Sequence, residues 1–159
     1  MKELQLQIQV LIKQEEELTP EEVKLLDEAR RATYRSYAPY SHFSVGAAVE
    51  LEDGTIVGGS NQENSAYPSG LCAERTAVFY ANSRYPDLAV RRLCIAARNT
   101  KGDFTKQPIS PCGACRQVLL ETEQRAGHHI EVLLYGTDGI YCIRSIRDLL
   151  PMGFDENFL

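Results

Sequence analysis

Two short strand-like stretches, one wholly apolar and one apolar except for Glu131, are separated by a helical segment and constrain the fold of this chain more than any other feature. Residues 93–97 and 130–135 lack the polar alternation of a half-exposed strand, so both are predicted to be strands buried on both faces. Residues 113–125 lie between them and have the composition of a helix. A sheet buried on both faces needs helices above and below it. The sequence therefore predicts a three-layer α/β domain.

The remaining predicted elements complete a mixed sheet of about five strands with helices on both faces. Thr19 and Glu22 form a capping-box pattern with Pro20 in the first turn, so a helix is expected from there to about Ser36. The other expected elements are strands at 43–51, 55–60 and 140–143, a helix at 72–82, and a short helix between Ser145 and Pro151. Gly58 and Gly59 are expected to weaken or bulge the strand at 55–60.

The N-terminal segment has a different pattern from the rest of the chain. Residues 2–11 are predicted to form a half-buried strand, because from Leu4 to Val10 leucine, isoleucine or valine alternates with glutamine. Its terminal position favours an edge strand, or a strand added at a subunit contact. We therefore divide the chain into an N-terminal extension, residues 1–18, and one domain, residues 19–159.

Charge and composition exclude several classes of partner. The net charge is −5, and the densest basic spots are only the pairs Arg30–Arg31 and Arg91–Arg92, so a nucleic-acid polymer is not expected to bind. No apolar run approaches the ~18 residues of a membrane span, and the N-terminus lacks the features of a secretion signal. A cytoplasmic location is expected. There an odd count of five cysteines favours metal or catalytic use over disulfides.

Three of the cysteines lie at the starts of two predicted helices. Cys112 and Cys115 form a C-x-x-C pattern after Pro111, which is typical of a redox dithiol or of half a metal site. Cys72 opens the other helix and favours the metal, because three thiolates supply three of the four ligands of zinc. A fourth position left to water is the arrangement of a catalytic zinc.

Two residues next to Cys72 have side chains suited to assist such a metal. Glu74 lies on the first helical turn, where it can reach a water molecule at the metal; alone, it would be interpreted as a partner of the helix dipole. Three thiolates and one Zn²⁺ sum to −1, which weakens the metal as a Lewis acid. We expect the two helix N-termini and Arg75 to offset this charge. Arg116 is either a second residue that offsets the thiolate charge or an ordinary surface residue.

Four motifs in order resemble those of the short homotetrameric cytidine deaminases, a family of zinc-dependent nucleoside deaminases. The motifs are Cys72-Ala73-Glu74-Arg75 with Pro111-Cys112-Gly113-Ala114-Cys115, the segment 37–48, Asn61-Gln62-Glu63-Asn64, and Leu149-Leu150-Pro151-x-x-Phe154. The resemblance implies a cytidine-deaminase-like α/β/α fold. It also implies hydrolytic deamination of cytidine and 2′-deoxycytidine to uridine and 2′-deoxyuridine plus ammonia, in pyrimidine salvage.

The resemblance further implies a role for each matching residue. Cys72, Cys112 and Cys115 would bind one zinc per subunit. Glu74 would relay protons from the attacking water to N3 of the base and then to the leaving amine. Asn61 and Glu63 would bind the ribose, and Phe43 would stack on the base ring. Backbone groups of Ala73 and Ser110 would contact the base edge. Three further substrate-binding residues would lie near subunit junctions: Tyr40, Tyr67 and Phe154. The implied assembly is a homotetramer with shared active sites.

Two alternatives stay open at this point. A deaminase of another aminopyrimidine nucleoside would share the cysteine motifs, but it would be expected to lack Arg75 and the Asn61–Asn64 motif. A structural zinc domain without catalysis would need a fourth protein ligand, for which His128, His129 and His42 are the candidates.

Overall fold

The computed structural model of the chain describes residues 1–158, and it confirms the predicted α/β class. The strands are β1 (Leu11–Lys13), β2 (Ser44–Leu51), β3 (Ile56–Ser60), β4 (Val90–Arg98), β5 (Glu131–Gly136) and β6 (Gly139–Ile143). The α-helices are α1 (Pro20–Ala32), α2 (Ala73–Arg84), α3 (Gly113–Ala126) and α4 (Ile146–Leu149). Short 3₁₀ turns occupy Glu15–Glu17, Thr33–Arg35 and Glu156–Phe158.

The six strands form one mixed sheet in the order β1-β6-β5-β4-β2-β3. The pair β4 and β5 is parallel, with α3 as its crossover, and the other neighbours are antiparallel. The two predicted buried strands, at residues 93–97 and 130–135, therefore lie at the centre of the sheet, as their largely apolar composition predicted. Ile95 of β4 is level with Leu134 of β5, and both are buried.

Helices cover both faces of the sheet, as predicted. On one face, Leu25, Leu26 and Ala29 of α1 pack against buried residues of β2, β4 and β5. On the other face, α2, α3 and α4 pack together, and Leu119 and Ile146 belong to their shared core. Because α2 and α3 lie on the same face of the sheet, their N-terminal ends can lie next to each other. The candidate site lies where these two helices begin.

Helix α1 begins as predicted and ends earlier than predicted. The Thr19 hydroxyl accepts a hydrogen bond from the Glu22 amide at 3.2 Å, and the Glu22 carboxylate accepts one from the Thr19 amide at 2.7 Å. The α-helix stops at Ala32 rather than near Ser36, because the next turn tightens to 3₁₀ geometry. The chain is then extended at Ser36, ahead of Pro39.

The N-terminal strand differs from its prediction, and so does the number of strands. Residues 1–10 have no regular secondary structure, and β1 spans only Leu11–Lys13, so the strand predicted at 2–11 is wrong in its bounds. The reason is the length of its partner: Leu11 pairs with Cys142, and β6 ends one residue later, at Ile143. With β1 at its edge the sheet has six strands rather than about five. The division of the chain at residue 18 stays a prediction, and Leu159, its last residue, lies outside the described residues.

Two glycines of the β2–β3 hairpin let helices approach it from opposite faces. A Cβ atom on Gly46 would lie 2.1 Å from the carbonyl oxygen of Ala29 in α1, and one on Gly59 would lie 2.4 Å from the amide nitrogen of Ala77 in α2. The β2–β3 register runs without a break from Gly46–Ser60 to Glu50–Ile56. Gly59 therefore does not bulge the strand; it makes room for a helix.

No helix among residues 1–158 combines the length and the apolar character that crossing a bilayer requires.

Candidate metal centre and active site

Three cysteine sulfurs meet where α2 and α3 begin. Cys72 is the N-cap of α2, Cys112 is the N-cap of α3, and Cys115 lies in the first turn of α3. The three Sγ atoms all lie within 4.8 Å of one another, and those of Cys72 and Cys112 are 3.7 Å apart. Neither N-cap sulfur makes a capping hydrogen bond with the backbone of its own helix, so both sulfurs can serve as metal ligands. The structure thus brings together the three predicted metal ligands.

The geometry and chemistry of this cluster fit a zinc ion. Tetrahedral coordination with Zn–S distances of ~2.3 Å places sulfurs about 3.8 Å apart, which matches the Cys72–Cys112 distance of 3.7 Å. The N-terminal ends of two helices point at the cluster, and their positive dipole ends favour thiolates over thiols. Cys115 is buried and Cys112 is exposed, so the cluster is open to solvent on one side.

Within residues 1–158, no fourth side chain completes the cluster. It contains no histidine and no carboxylate. His128 and His129 follow the C-terminal end of the 14-residue helix α3, about 20 Å from its start. His129 instead lies 3.7 Å from Glu123. His42 is likewise absent from the cluster. The fourth-ligand candidates of a structural zinc domain are therefore not at the metal centre.

Arg75 faces the sulfurs, as predicted, and Arg116 does not. The guanidinium of Arg75 donates to Cys72 Sγ at 3.6 Å, and this hydrogen bond raises the pKa of Arg75. Its Nε is buried without a hydrogen-bond partner in the described residues. Arg116 donates to the carbonyl oxygens of Pro111 and Leu149, at 2.9 and 2.8 Å. It holds the metal loop to the C-terminal segment instead of offsetting sulfur charge.

The three sulfurs of the cluster are hydrogen-bonded to one another. A hydrogen bond from Cys115 lowers the pKa of Cys72 to about 5. The same hydrogen bond raises the pKa of Cys115, which donates it. Arg75 and the neighbouring thiols thus favour the thiolate form of Cys72, which is the form that binds a metal.

Glu74 is a buried acid beside this cluster. Its side chain is only 4% exposed, because the first turn of α2 carries it inward next to Cys72 and Cys115. Burial raises the pKa of this carboxyl, and the neighbouring Cys72 thiolate adds to the rise. The carboxyl is close enough to interact with both sulfurs yet lies outside the group of metal ligands. This is the placement that a proton carrier beside a metal needs.

A cleft of about 440 Å³ opens next to Cys72. Four of the predicted substrate-binding residues line it, namely Tyr40, Asn61, Glu63 and Tyr67. Its floor is fixed by backbone pairing: Gln62 and Leu71 exchange two hydrogen bonds of 2.9 Å, which tie the loop after β3 to the segment that enters α2. The cleft therefore joins the predicted ribose-binding motif to the metal cluster.

Asn61 and Glu63, the two residues of that motif predicted to bind ribose, also hold the neighbouring loop. The Asn61 amide oxygen accepts from the Val45 amide at 2.8 Å, and its nitrogen donates to the Phe43 carbonyl at 3.0 Å. Glu63 accepts from the Tyr40 amide at 2.9 Å and from the Ser41 hydroxyl, and the latter bond lowers the pKa of Glu63. One N–H of Asn61 and further lone pairs of Glu63 stay available to a ligand.

The remaining predicted residues lie outside the lining of the cleft. Phe43 is half-buried just before β2, and Ala73 is buried in the first turn of α2. Ser110 is exposed before Pro111. Phe154 is exposed and stacks on Phe158, with ring centroids 5.7 Å apart. An exposed aromatic pair of this kind is available to a neighbouring subunit.

The sequence interpretation missed the residues that hold these segments in place. Ser41 binds Glu63, and the Gln117 amide donates to the Phe154 carbonyl at 2.8 Å. Ser41 lies inside the motif segment 37–48, and Gln117 lies two residues after the motif that ends at Cys115. No local signal in the sequence indicates the partner of either side chain, because each partner is distant along the chain.

Comparison with known proteins identifies the family. The model of the cytidine and deoxycytidylate deaminase zinc-binding region matches residues 20–127. The chain belongs to the cytidine and deoxycytidylate deaminase family. The matched region carries all three cysteines of the cluster, so the zinc of the deaminase family and the observed sulfur donors agree.

Relatives of this deaminase family align over most of the chain. A cytidine deaminase from Sporosarcina psychrophila is 50% identical over 136 residues, covering 86% of this chain and 93% of the relative. One from Halalkalibacterium halodurans is 45% identical over 130 residues, covering 82% and 91%. The crystal structure of cytidine deaminase from Burkholderia pseudomallei superposes with a TM-score of 0.69 at 38% identity, covering 82% of this chain and 97% of that one.

Proposed function

We propose that this protein catalyses the zinc-dependent hydrolytic deamination of cytidine and 2′-deoxycytidine to uridine and 2′-deoxyuridine, with release of ammonia. The observation that carries the proposal is the three-sulfur cluster with Glu74 buried beside it and with no fourth protein ligand among residues 1–158. A metal saturated by protein ligands could hold a fold together. A metal with an open position beside a buried acid can do chemistry on a substrate. The similarity to cytidine deaminases names the substrate.

Cys72, Cys112 and Cys115 hold the metal in this proposal, one ion per chain. When bound there, zinc supplies an activated water molecule near neutral pH. Arg75 offsets part of the negative charge of the thiolates through its hydrogen bond to Cys72. The helix N-termini at Cys72 and Cys112 add to this effect.

Glu74 moves the protons. Its carboxylate takes a proton from the attacking water and delivers it to N3 of the cytosine ring, so that C4 accepts the new C–O bond. It then carries the second proton of the water to the exocyclic amine, the C4–N bond breaks, and ammonia leaves. One carboxyl thus acts as general base and then as general acid, and its burial keeps bulk water from competing for the protons.

The cleft beside Cys72 holds the nucleoside. Asn61 and Glu63 bind the ribose hydroxyls with the hydrogen-bonding capacity that their loop contacts leave free. Phe43 stacks on the pyrimidine, and backbone groups of Ala73 and Ser110 contact the base edge. Tyr40 and Tyr67 line the outer part of the cleft.

We further propose a homotetramer with shared sites, acting in pyrimidine salvage in the cytoplasm. Phe154 of one subunit completes the site of its neighbour, which gives a role to an aromatic side chain that is 58% exposed in the single chain. All five cysteines are free thiols, which suits a reducing compartment.

An ultraviolet assay with purified protein tests the proposed activity. We expect the zinc-loaded protein to convert both cytidine and 2′-deoxycytidine, to lose activity when a chelator removes the metal, and to regain it with zinc. Other aminopyrimidine nucleosides, measured in parallel, test the alternative substrate class. Turnover of one of those without turnover of either cytidine nucleoside would overturn the substrate assignment, and a zinc-loaded protein inert to all of them would overturn the enzymatic function.

A further inference from the structure

The N-terminal arm, defined as residues 1–10, continues β1 beyond the end of its partner strand β6. Within the described residues no hydrogen bond involves residues 1–9. Gln7, Gln9, Leu11 and Lys13 line one groove together, so odd-numbered residues share a side and the segment is extended. At ~3.3 Å per residue, the arm is about 30 Å of extended chain with both backbone edges unpaired.

The arm and β1 together carry an apolar row on the other side of the extended segment. Its members are the even-numbered residues, which are between 41% and 76% exposed: Leu4, Leu6, Ile8, Val10 and Ile12. No proline and no charged residue interrupts residues 4–12. Natural edge strands are protected by such interruptions, because an open apolar edge pairs with other chains. An unprotected edge of this length indicates a strand that is paired in the working protein.

We propose that the N-terminal arm pairs antiparallel with the arm of a second copy of this chain, about a two-fold axis at Ile8. Ile8 then faces the partner subunit's Ile8, Leu6 faces the partner subunit's Val10, and Leu4 faces the partner subunit's Ile12. Each apolar side chain gains apolar side chains of the partner opposite and diagonal to it. The strand order β6-β1 continues directly into β1-β6 of the partner subunit, which makes one continuous sheet.

Charge complementarity selects this register. It places Glu3 opposite the partner subunit's Lys13, and it leaves no like charges directly opposite each other. Lys13 donates to Glu22 at 2.9 Å, and its ammonium group retains two further donors for Glu3 of the partner subunit. Moving the two-fold axis by one residue towards the N-terminus would place Lys2 opposite Ile12 and would leave Lys13 without an acidic partner.

The opposite side of the paired arms is polar, as its surroundings require. Gln7 and Gln9 face each other across the axis on the side of the groove, which has a volume of about 610 Å³. The walls of that groove include Glu22, Arg144 and Arg147. Amide side chains suit this charged groove, whereas the apolar row points away from it. The alternation of glutamines and apolar residues therefore fits the orientation in which the glutamines face the groove and the apolar side chains face away from it.

Cysteine cross-linking tests the register in the zinc-loaded, full-length protein. Directly opposite residues have Cβ atoms about 4.5–5.5 Å apart, whereas residues displaced by four positions are about 13 Å apart. We expect Ile8→Cys alone to form a disulfide-linked dimer in more than about half of the chains under mild oxidation. Leu6→Cys alone and Val10→Cys alone should each form a disulfide-linked dimer in under about a tenth of the chains. When the two single variants are co-expressed, residue 6 of one chain should link to residue 10 of the other.

Wild-type protein controls for the native cysteines, and peptide mass mapping identifies the linked residues. Equal yields from all three single variants would show a freely moving arm and overturn the proposal, and so would the absence of any link through residue 8. Deletion of residues 2–10 gives a second readout that needs no new cysteine. We expect it to raise the concentration at which the assembly dissociates at least tenfold; an unchanged value would contradict the pairing. Neither measurement depends on deaminase activity.

Discussion

Burial separates Glu74 from the other acids around the candidate site. Glu63 is partly exposed and is hydrogen-bonded to a loop, whereas Glu74 is 4% exposed and faces sulfur atoms. A carboxyl shielded from bulk water exchanges protons with the bound substrate rather than with solvent. Burial therefore marks Glu74 as the residue on which turnover depends.

Replacing Glu74 with glutamine should separate metal binding from catalysis. Because the amide is isosteric but can neither accept nor release a proton near neutral pH, we expect kcat to fall about 10²–10⁴-fold while zinc content stays unchanged. Glu121→Gln, an exposed position on α3, is the matched control and should have wild-type kcat. The measurements are steady-state kinetics and metal analysis of each purified variant. A kcat within tenfold of wild type in the Glu74 variant would remove Glu74 from the proton relay.

Arg75 supports the metal through a sulfur ligand. Arg75→Gln removes the guanidinium that donates to Cys72 Sγ, so we expect zinc affinity or activity to fall about 10–100-fold. Competition with a chromogenic zinc chelator measures the affinity. Arg75→Lys keeps the charge and should lose less than Arg75→Gln. Equal zinc affinity and turnover in wild type and Arg75→Gln would show that Arg75 offsets no thiolate charge.

The sequence allowed the metal ligands to be predicted better than the residues that hold them. Cys72, Cys112 and Cys115 carry their chemistry in their own side chains, so residue type and spacing sufficed. The role of Arg116 does not follow from its residue type. Its guanidinium donates to two carbonyl oxygens, and one of these belongs to Leu149, 33 positions away. A contact of that kind follows from the packing of α3 against the C-terminal segment, which local pattern does not encode.

At the scale of elements, the position of each helix depends on small residues of the sheet. Gly46 in β2 lies directly beneath the backbone of α1, and Gly59 in β3 lies beneath α2. Both contacts involve backbone atoms, which cannot move aside as a flexible side chain can. The helix that carries Cys72 and Glu74 is thus fixed against the hairpin at Gly59.

Gly46→Ala should destabilise the fold. The added Cβ would lie 2.1 Å from the carbonyl oxygen of Ala29, so α1 must shift, and we expect a loss of about 1–3 kcal/mol in the free energy of unfolding. Thermal or urea denaturation of the zinc-loaded protein measures it. Gly113→Ala is the control, because its added Cβ would meet no heavy atom within 4 Å among residues 1–158 other than those of its chain neighbours and its own helix. Equal stability of the two variants would contradict the close contact between β2 and α1.

Elements with strong local signals were predicted well, and elements that depend on a distant partner were not. The capping box at Thr19 and the apolar runs at 93–97 and 130–135 are local signals, and their elements formed where expected. The alternation in residues 2–11 indicates an extended strand, but it does not indicate which other strand would pair with it. A strand exists only where another strand faces it, and in the single chain β6 reaches only as far as Leu11.

At the scale of the whole molecule, the proposed tetramer makes each site depend on two chains. Phe154→Ala should impair a neighbour's site, and Glu74→Gln should impair its own. Co-expression of the two variants should therefore restore activity, since some mixed sites combine an intact Glu74 with an intact Phe154. The assay compares the mixture with each variant alone. Activity of the mixture that never exceeds the average of the two would show that Phe154 serves its own chain or no site at all.

The coordination of zinc in the wild-type protein tests the central claim most directly. X-ray absorption spectroscopy of the zinc-loaded protein should resolve three sulfur ligands at ~2.3 Å and one oxygen at ~2.0 Å, with one zinc per chain. The oxygen is the position that substrate chemistry requires, and three sulfurs are the donors that the cluster offers. Four protein ligands on the metal, or no zinc bound by these cysteines, would contradict the account.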